Sequence, residues 1–216
     1  MIYDAVNQAV LRRIPSGVRQ VLDLGCGSGA LGAALKARHG CTIVGVTASA
    51  AEAAAAWSRL DRVEVADLND FDPAPLGAFD CIVCSHVLEH LLDPGALLRR
   101  LRGCLAPGAS LLVALPNALF WRQRLEFLRG RFRYTDGGLM DSSHYRFFDW
   151  QTAEQLVRDA GYRVTERAAD GGLPGSRRLG ARLSAVLDRQ ALARFPGLFG
   201  HQFLLQARAT APAAAG

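Results

Sequence analysis

Four side chains in this chain of 216 residues are of types that move protons or hold metals: His86, Glu89, His90 and, further on, His144. A carboxylate beside an imidazole can act as an acid–base couple that takes a proton from a hydroxyl. Two or three imidazoles with one carboxylate also suit a zinc-like or other transition metal better than magnesium. A third reading has Glu89 and His90 only capping a loop and bonding its backbone. A second stretch, Val21-Leu-Asp-Leu-Gly-Cys-Gly-Ser-Gly29, carries a different signal. A short apolar run meets Asp23, glycines follow at 25, 27 and 29, and Ala30 to Ala37 are good helix formers. Strand, tight turn and helix in that order bring bare backbone amides close to a ligand. Gly25-x-Gly27-x-x-Ala30 fits a loose dinucleotide fingerprint, so the turn alone allows several nucleotide-type cofactors.

The elements that must position these residues follow from periodicity. Residues 3–13 read as an amphipathic helix stopped by Pro15-Ser-Gly17. Strands are predicted over 20–24, 42–46, 62–66, 79–84 and 110–115. Helices are predicted between them over 30–39, 49–58 and 93–104, with Ser49 and Glu52 spaced as a capping box. This alternation implies an α/β fold, a doubly wound and mostly parallel sheet with helices on both faces. After Pro116-Asn117 the rhythm changes. A helix over 118–129 and a loop over 130–143 precede a helix over 152–160 and a sixth strand over 162–168. A basic helix over 177–195 and a strand over 202–208 complete seven strands, and residues 210–216 read as an unstructured tail of small residues. In such a sheet the ligand sits at the carboxyl ends of the strands. Asp23–Gly29, Thr47, Asp67-Leu68, Ser85–His90 and Pro116-Asn117 all fall on that rim.

Composition narrows the setting. The length suits a single domain with a sizeable core. No apolar run reaches the ~18–20 residues of a membrane span, and Met1-Ile-Tyr-Asp lacks the basic start of a secretory signal. Five cysteines, with Cys81-x-x-Cys84 inside an apolar run and no second pair, read as buried thiols in a reducing, cytoplasmic setting. Charge is divided unevenly: the chain to Leu98 carries a net −4 and the remainder +9. The basic half suggests an anionic partner, such as phosphates or a membrane surface, or else solvated helix faces.

Taken together, the sequence resembles the class I S-adenosylmethionine-dependent methyltransferases. The resemblance runs over residues 19–117 and is carried by Val21–Gly29, Ala66-Asp-Leu68, Phe79-Asp-Cys-Ile-Val-Cys-Ser-His-Val-Leu-Glu-His-Leu91 and Leu105-Ala-Pro-Gly-Ala-Ser-Leu-Leu-Val-Ala-Leu-Pro-Asn117. It implies a Rossmann-like sheet, mostly parallel with an antiparallel last strand, and S-adenosylmethionine as cofactor. By position it implies that Gly25, Cys26, Gly27 and Gly29 approach the methionine part and the ribose, while Asp23 fixes the loop and the amino group. Asp67 would accept from the adenine amino group, the Leu68 amide would donate to a ring nitrogen, and Ser85 and His86 would lie near the cofactor. Thr47 departs from the pattern, because such families usually carry an acid there for the ribose hydroxyls. Glu52 or a water would have to help.

Beyond residue 117, Trp121-x-x-Arg-Leu-x-Phe-Leu-Arg-Gly-Arg-Phe-x-Tyr-Thr-Asp136 and Asp141-Ser-Ser-His-Tyr-Arg-Phe-Phe148 resemble small bacterial methyltransferases of glycan, lipid and secondary-metabolite pathways, and in layout the ubiquinone-pathway O-methyltransferases. This implies O-methylation of a small or lipid-linked, anionic acceptor. Residues 117–149 would form a lid-like insertion and residues 176–196 a basic helical one. Glu89, His90 and His144 are the residues expected to activate the acceptor. A divalent metal at His86, Glu89, His90 and His144 is an open alternative rather than the expectation. Arginines alternating with aromatics from Trp121 to Tyr134 suit an anionic substrate, a membrane surface at which the protein sits peripherally, or a nucleic acid, the last disfavoured because only one short region is basic. Two rival functions remain: a non-catalytic binding member of the fold, favoured by Thr47, and an RNA 2′-O-methyltransferase. Oligomeric state is not legible.

Overall fold

A computed structural model describes residues 4–210, apart from the side chains of Arg177 and Leu179. The strands are β1 (Gln20–Leu24), β2 (Thr42–Thr47), β3 (Arg62–Val65), β4 (Phe79–Ser85), β5 (Leu105–Pro116), β6 (Tyr162–Gly171) and β7 (Gly200–Ala209). They form one seven-stranded sheet in the order β3-β2-β1-β4-β5-β7-β6. The first five pair in parallel, and β7 runs antiparallel to both β5 and β6. This is the Rossmann-like, doubly wound α/β sheet with an antiparallel last strand that the sequence implies.

The sheet is buried on both faces, which is why its central strands are almost uninterrupted apolar runs. Alternate residues feed two core layers. Leu22, Leu24, Val44, Ile82, Cys84 and Leu111 face one layer, and Val21, Ile43, Cys81, Val83 and Leu112 face the other. Helices α1 (Gln8–Leu11), α2 (Ala30–His39) and α3 (Ala50–Ala56) close the second layer. Helices α4 (Pro94–Leu101) and α6 (Trp150–Asp159) close the first. Burying one leucine contributes ~1.5–3 kcal/mol, so Leu97, Leu98 and Leu101, all fully buried, suffice to anchor α4. Helices α5 (Trp121–Leu128), α7 (Ala181–Arg194) and α8 (Pro196–Phe199) seal neither layer: α5 and α8 bury no residue and α7 only Ser184.

Cys81 and Cys84 stand three apart on a strand, so their thiols point into opposite layers and cannot share a metal. All five cysteines are free and buried.

Several boundaries differ from expectation, each for a local reason. Helix α1 starts at Gln8, not residue 3, because Asn7 caps it by accepting from the Ala9 and Val10 amides. Tyr3 and the tail from residue 211 lie outside the described residues. Strand β5 starts at Leu105 because a register shift between its Phe79 and Cys81 pairings absorbs Pro107-Gly108, expected as a turn. The basic helix is divided by Gly180, at φ +80°, into a 3-10 turn over Ser176–Leu179 and α7.

The antiparallel strand also aligns the later segments with the site. Pro116, ending β5, lies opposite Gln202 of β7, and Gly171, ending β6, lies opposite Gly200. Residues 117–149 and 172–199 therefore leave the sheet from the same rim as the glycine turn.

Candidate active site

Strand β1 delivers Asp23 to this rim almost fully buried. Its Oδ2 has no hydrogen-bond partner among the described residues. Burial pushes the carboxyl up to about 7, since a charge taken out of water without a partner is costly. The turn after it is fixed from below: the Gly25 and Cys26 amides both donate to the Val46 carbonyl, at 2.9 and 3.0 Å, and the Gly29 amide donates to Cys26 at 2.9 Å. Among the described residues, the amides of Gly27 and Ser28 have no partner of this kind. Gly25 sits at φ +72°, and a Cβ there would stand 2.8 Å from Val87 Cγ2, so only glycine lets the end of β4 close on the turn. The Cys26 side chain lies in the core and burial pushes its thiol up to about 12. Any part Cys26 takes at the ligand belongs to its backbone.

At the end of β2 the carboxylate missing from Thr47 is supplied from the next helix. Thr47 Oγ1 donates to Glu52 Oε2 at 2.7 Å and accepts from the Ser49 amide at 3.2 Å. Ser49 Oγ accepts from the Glu52 amide at 3.3 Å, so one half of the expected capping box forms while the Glu52 side chain turns to Thr47. After β3, Asp67 Oδ1 accepts from both the backbone and side-chain nitrogens of Asn69 at 2.9 Å, which holds the loop and leaves Oδ2 out of that turn. Leu68 is buried, and its carbonyl accepts from Arg100 at 3.2 Å.

Beyond β4 the chain turns sharply. His86 is the one non-glycine residue with positive φ among the described residues, at 54°. The turn throws its ring between Glu89 Oε1, 3.2 Å from Nδ1, and Gln202 Oε1, 2.8 Å from Nε2. Gln202 is oriented by its own partners: Nε2 donates to Asp170 at 2.9 Å, and Oε1 also accepts from Asn7 at 2.8 Å. Two oxygens facing one ring favour its protonated form. Burial pushes the His86 imidazole down, but Glu89 and Gln202 outweigh it and the net shift is upward. Ser85 Oγ accepts from Asn7 at 3.3 Å.

Glu89, fully buried in the 3-10 turn Leu88–His90, meets a loop from far along the chain. The Tyr145 and Arg146 amides donate to the Glu89 carbonyl at 2.9 and 3.1 Å, and this clamp sets His144 beside it. The rings of His90 and His144 stand edge to face, 4.7 Å apart. One ligating atom from each of Glu89, His90 and His144 falls within 4.8 Å of the others. His90 Nδ1 lies 3.3 Å from the Ser143 carbonyl, an acceptor only, so Nδ1 carries the proton and Nε2 the lone pair. Ser143 Oγ, 3.1 Å from the same nitrogen, is held by donating to Asp141 at 2.6 Å. His144 Nδ1 and Glu89 Oε2 are buried without a hydrogen-bond partner. Burial pushes the His144 imidazole down, which keeps it neutral at ordinary pH. Of the four residues weighed as metal ligands, His86 falls outside this trio, its ring held between Glu89 and Gln202.

A cavity of about 420 Å³ opens within residues 117–149, between Gln123 and Glu126 of α5 and the strip Arg131 to Met140. It is walled by residues 123–140 of this segment, Leu139 among them, rather than by the glycine turn. No pattern in residue order points to Gln202, Asn7 or Ser143 at this site. Gln202 is 116 residues from His86, and only the antiparallel register of β7 unites them.

A family model described as a methyltransferase domain matches residues 3–167. The chain therefore belongs to the class I S-adenosylmethionine-dependent methyltransferase family. It is 38% identical over 112 residues to trans-aconitate 2-methyltransferase of Methylobacterium radiotolerans, covering 51% of this chain and 43% of that protein. It is 32% identical over 111 residues to the ubiquinone biosynthesis O-methyltransferase of Xanthomonas axonopodis, covering 48% and 45%. These matches span less than half the length of either relative. A solved S-adenosylmethionine-dependent methyltransferase of Archaeoglobus fulgidus superposes with a TM-score of 0.66 over 92% of this chain and 91% of its own, at 20% identity, a likeness of fold. The family implies S-adenosylmethionine, and the residues fit it: an unpartnered buried carboxylate waits at Asp23, beside a turn that side chains would close.

Proposed function

We propose that this chain transfers a methyl group from S-adenosylmethionine to a hydroxyl of a small or lipid-linked, anionic acceptor. The observation that carries the reading is the convergence of Glu89, His90 and His144 on the rim that also bears Asp23 and the glycine turn. When bound, S-adenosylmethionine supplies a methyl group on a sulfonium, open to in-line displacement. Asp23 would accept from the methionine amino group, and the Gly27 and Ser28 amides would face the cofactor over Gly25 and Gly29. Glu52, steadied by Thr47, would take the ribose hydroxyls, and Asp67 with the Leu68 amide the adenine edge. The Thr47–Glu52 bond favours this reading over a non-catalytic one, because it returns a carboxylate to the end of β2.

At the acceptor, His144 has the neutral form that a general base needs, and its Nδ1, without a partner among the described residues, would be the nitrogen that acts. It would take the hydroxyl proton while Glu89 stabilises the imidazolium that results. His90, held through Nδ1, would offer Nε2 to the acceptor as a second site for that proton. His86, turned toward protonation by Glu89 and then by Gln202, would hold Glu89 in place. Incubation with labelled S-adenosylmethionine and a panel of phenols, carboxylates and hydroxylated lipids tests this. Label transfer lost in His144→Gln and Glu89→Gln, with cofactor binding retained, is the expected result. Undiminished transfer in both variants would sink the assignment.

The two unpartnered atoms, Glu89 Oε2 and His144 Nδ1, favour a second reading in which the three side chains bind a divalent transition metal that activates the acceptor oxygen. Cobalt(II) gives the test. A visible ligand-field spectrum that disappears in His144→Gln supports the metal, and its absence at saturating cobalt argues for the acid–base couple.

A further inference from the structure

The two segments that leave the site rim carry most of the exposed large apolar side chains among the described residues and a net positive charge larger than that of the whole chain. Residues 117–149 and 172–199 contain eleven arginines against five carboxylates, a net of +6, whereas the whole chain is +5. Among the described residues, eight of the eleven exposed large apolar side chains also lie there, including Leu128 at 83% exposure and Tyr145 at 63%. Helix α5 buries nothing, and α7, fourteen residues long, buries only Ser184. Side chains of Leu183 and Val186 stand exposed along α7 and Phe195 just past its end, with Arg182, Arg189 and Arg194 exposed between and beside them. The two segments are tied together: Asn117 Nδ2 donates to the Gly197 carbonyl at 3.0 Å, and the Arg124 guanidinium reaches the same oxygen at 3.4 Å. Monomeric proteins rarely leave so much apolar surface open on one side.

We propose that this face docks on the anionic surface of a lipid bilayer. Apolar tips enter the headgroup boundary while arginines pair with phosphates around them, the two-signal arrangement that gives stable peripheral binding. Charge decides against a second copy of the chain, since two such faces would bring +6 against +6. It is the aliphatic members, Leu128, Leu183 and Val186, that decide against single-stranded RNA, because they offer bases nothing to stack on. Docked this way, the rim and the Glu89 cluster face the membrane, so an acceptor anchored in lipid reaches the site without leaving the bilayer. That last step rests on the methyltransferase reading; the docking itself does not.

Sedimentation of the purified chain with sucrose-loaded vesicles tests it. Phosphatidylcholine vesicles with phosphatidylglycerol are expected to take the protein down at low salt, with binding weakening as salt rises, and phosphatidylcholine alone to leave it in solution. Leu128→Asp with Leu183→Asp, one from each segment, should weaken vesicle binding about tenfold or more while S-adenosylmethionine affinity and the unfolding midpoint stay unchanged. Arg133→Glu with Arg182→Glu, one from each segment, should do the same through charge, about tenfold or more. No sedimentation with anionic vesicles at low salt overturns the proposal. So does equal sedimentation of wild type and both double variants, or retention on single-stranded RNA by a chain that ignores vesicles. Cofactor binding, measured in parallel, separates a failure of docking from a failure of the enzyme reading.

Discussion

Asp23 is a carboxyl held against the stability of its own fold. Its pKa rises from 3.8 to about 7 because it is buried without a partner. Between those values the folded chain binds a proton that the unfolded chain has released, so stability without ligand falls as pH rises from about 4 to about 7. Asp23→Asn removes that loss, and its unfolding midpoint, measured by differential scanning calorimetry at neutral pH, should exceed that of wild type. Burial moves the His144 imidazole the opposite way, below its ordinary value. With S-adenosylmethionine saturating, the acidic limb of kcat/KM for the acceptor should therefore lie under pH 6.5 and be absent from whatever residual transfer His144→Gln retains. For Glu52, loss of its charge in Glu52→Gln should weaken S-adenosylmethionine binding about tenfold, as expected for a charge-assisted hydrogen bond. Thr47→Val, which leaves that charge in place, should cost less. Asp23 and the glycine turn were legible because their signal is local, a strand and its turn within nine residues. The partnership of Thr47 with Glu52 was legible only as one option. Ser49 and Glu52 stand at capping-box spacing, and spacing alone cannot rank a helix cap against a tertiary partner for the same carboxylate.

Among the elements, Asn117 is the knot that sets both rim segments. It is fully buried; Nδ2 donates to Gly197 and Gly200 at 3.0 and 2.7 Å, and Oδ1 accepts from the Leu119 amide at 2.9 Å. Asn117→Ala would leave two carbonyls and an amide without their side-chain partner, costing on the order of 2–4 kcal/mol. Denaturant titration should show that loss, and the variant should lose methyl transfer by more than it loses cofactor affinity, because the glycine turn sits on other strands. Strand β5 and the helices that seal the core were readable from apolar runs and periodicity. The clamp of Tyr145 and Arg146 on the Glu89 carbonyl was not, since backbone contacts between distant loops leave no pattern in side-chain order. His144 drew notice by residue type; its arrival beside Glu89 depends on that clamp.

At the scale of the molecule, charge and chemistry are divided between two regions. A near-neutral sheet carries the rim proposed to hold the cofactor, and two arginine-rich segments leave from the same rim. The sequence shows the division as a net −4 up to Leu98 and +9 beyond, but not that both basic segments emerge beside the site, which follows from the antiparallel placement of β7. Ligand that binds only the folded chain stabilises it by ~2.7 kcal/mol at a hundred times Kd. For a chain of this size that raises the unfolding midpoint by about 5–10 °C, and S-adenosylmethionine should do so where adenosine triphosphate does not. Direct calorimetric titration of S-adenosylmethionine into wild type and Asp23→Asn, from mildly acidic to mildly alkaline pH, bears most immediately on the central claim. One-site binding that tightens in wild type as pH rises through about 7, and that is at least about tenfold weaker and indifferent to pH in Asp23→Asn, is the predicted result. Absence of binding to wild type at high micromolar cofactor, or equal affinity in the two proteins, would contradict the account.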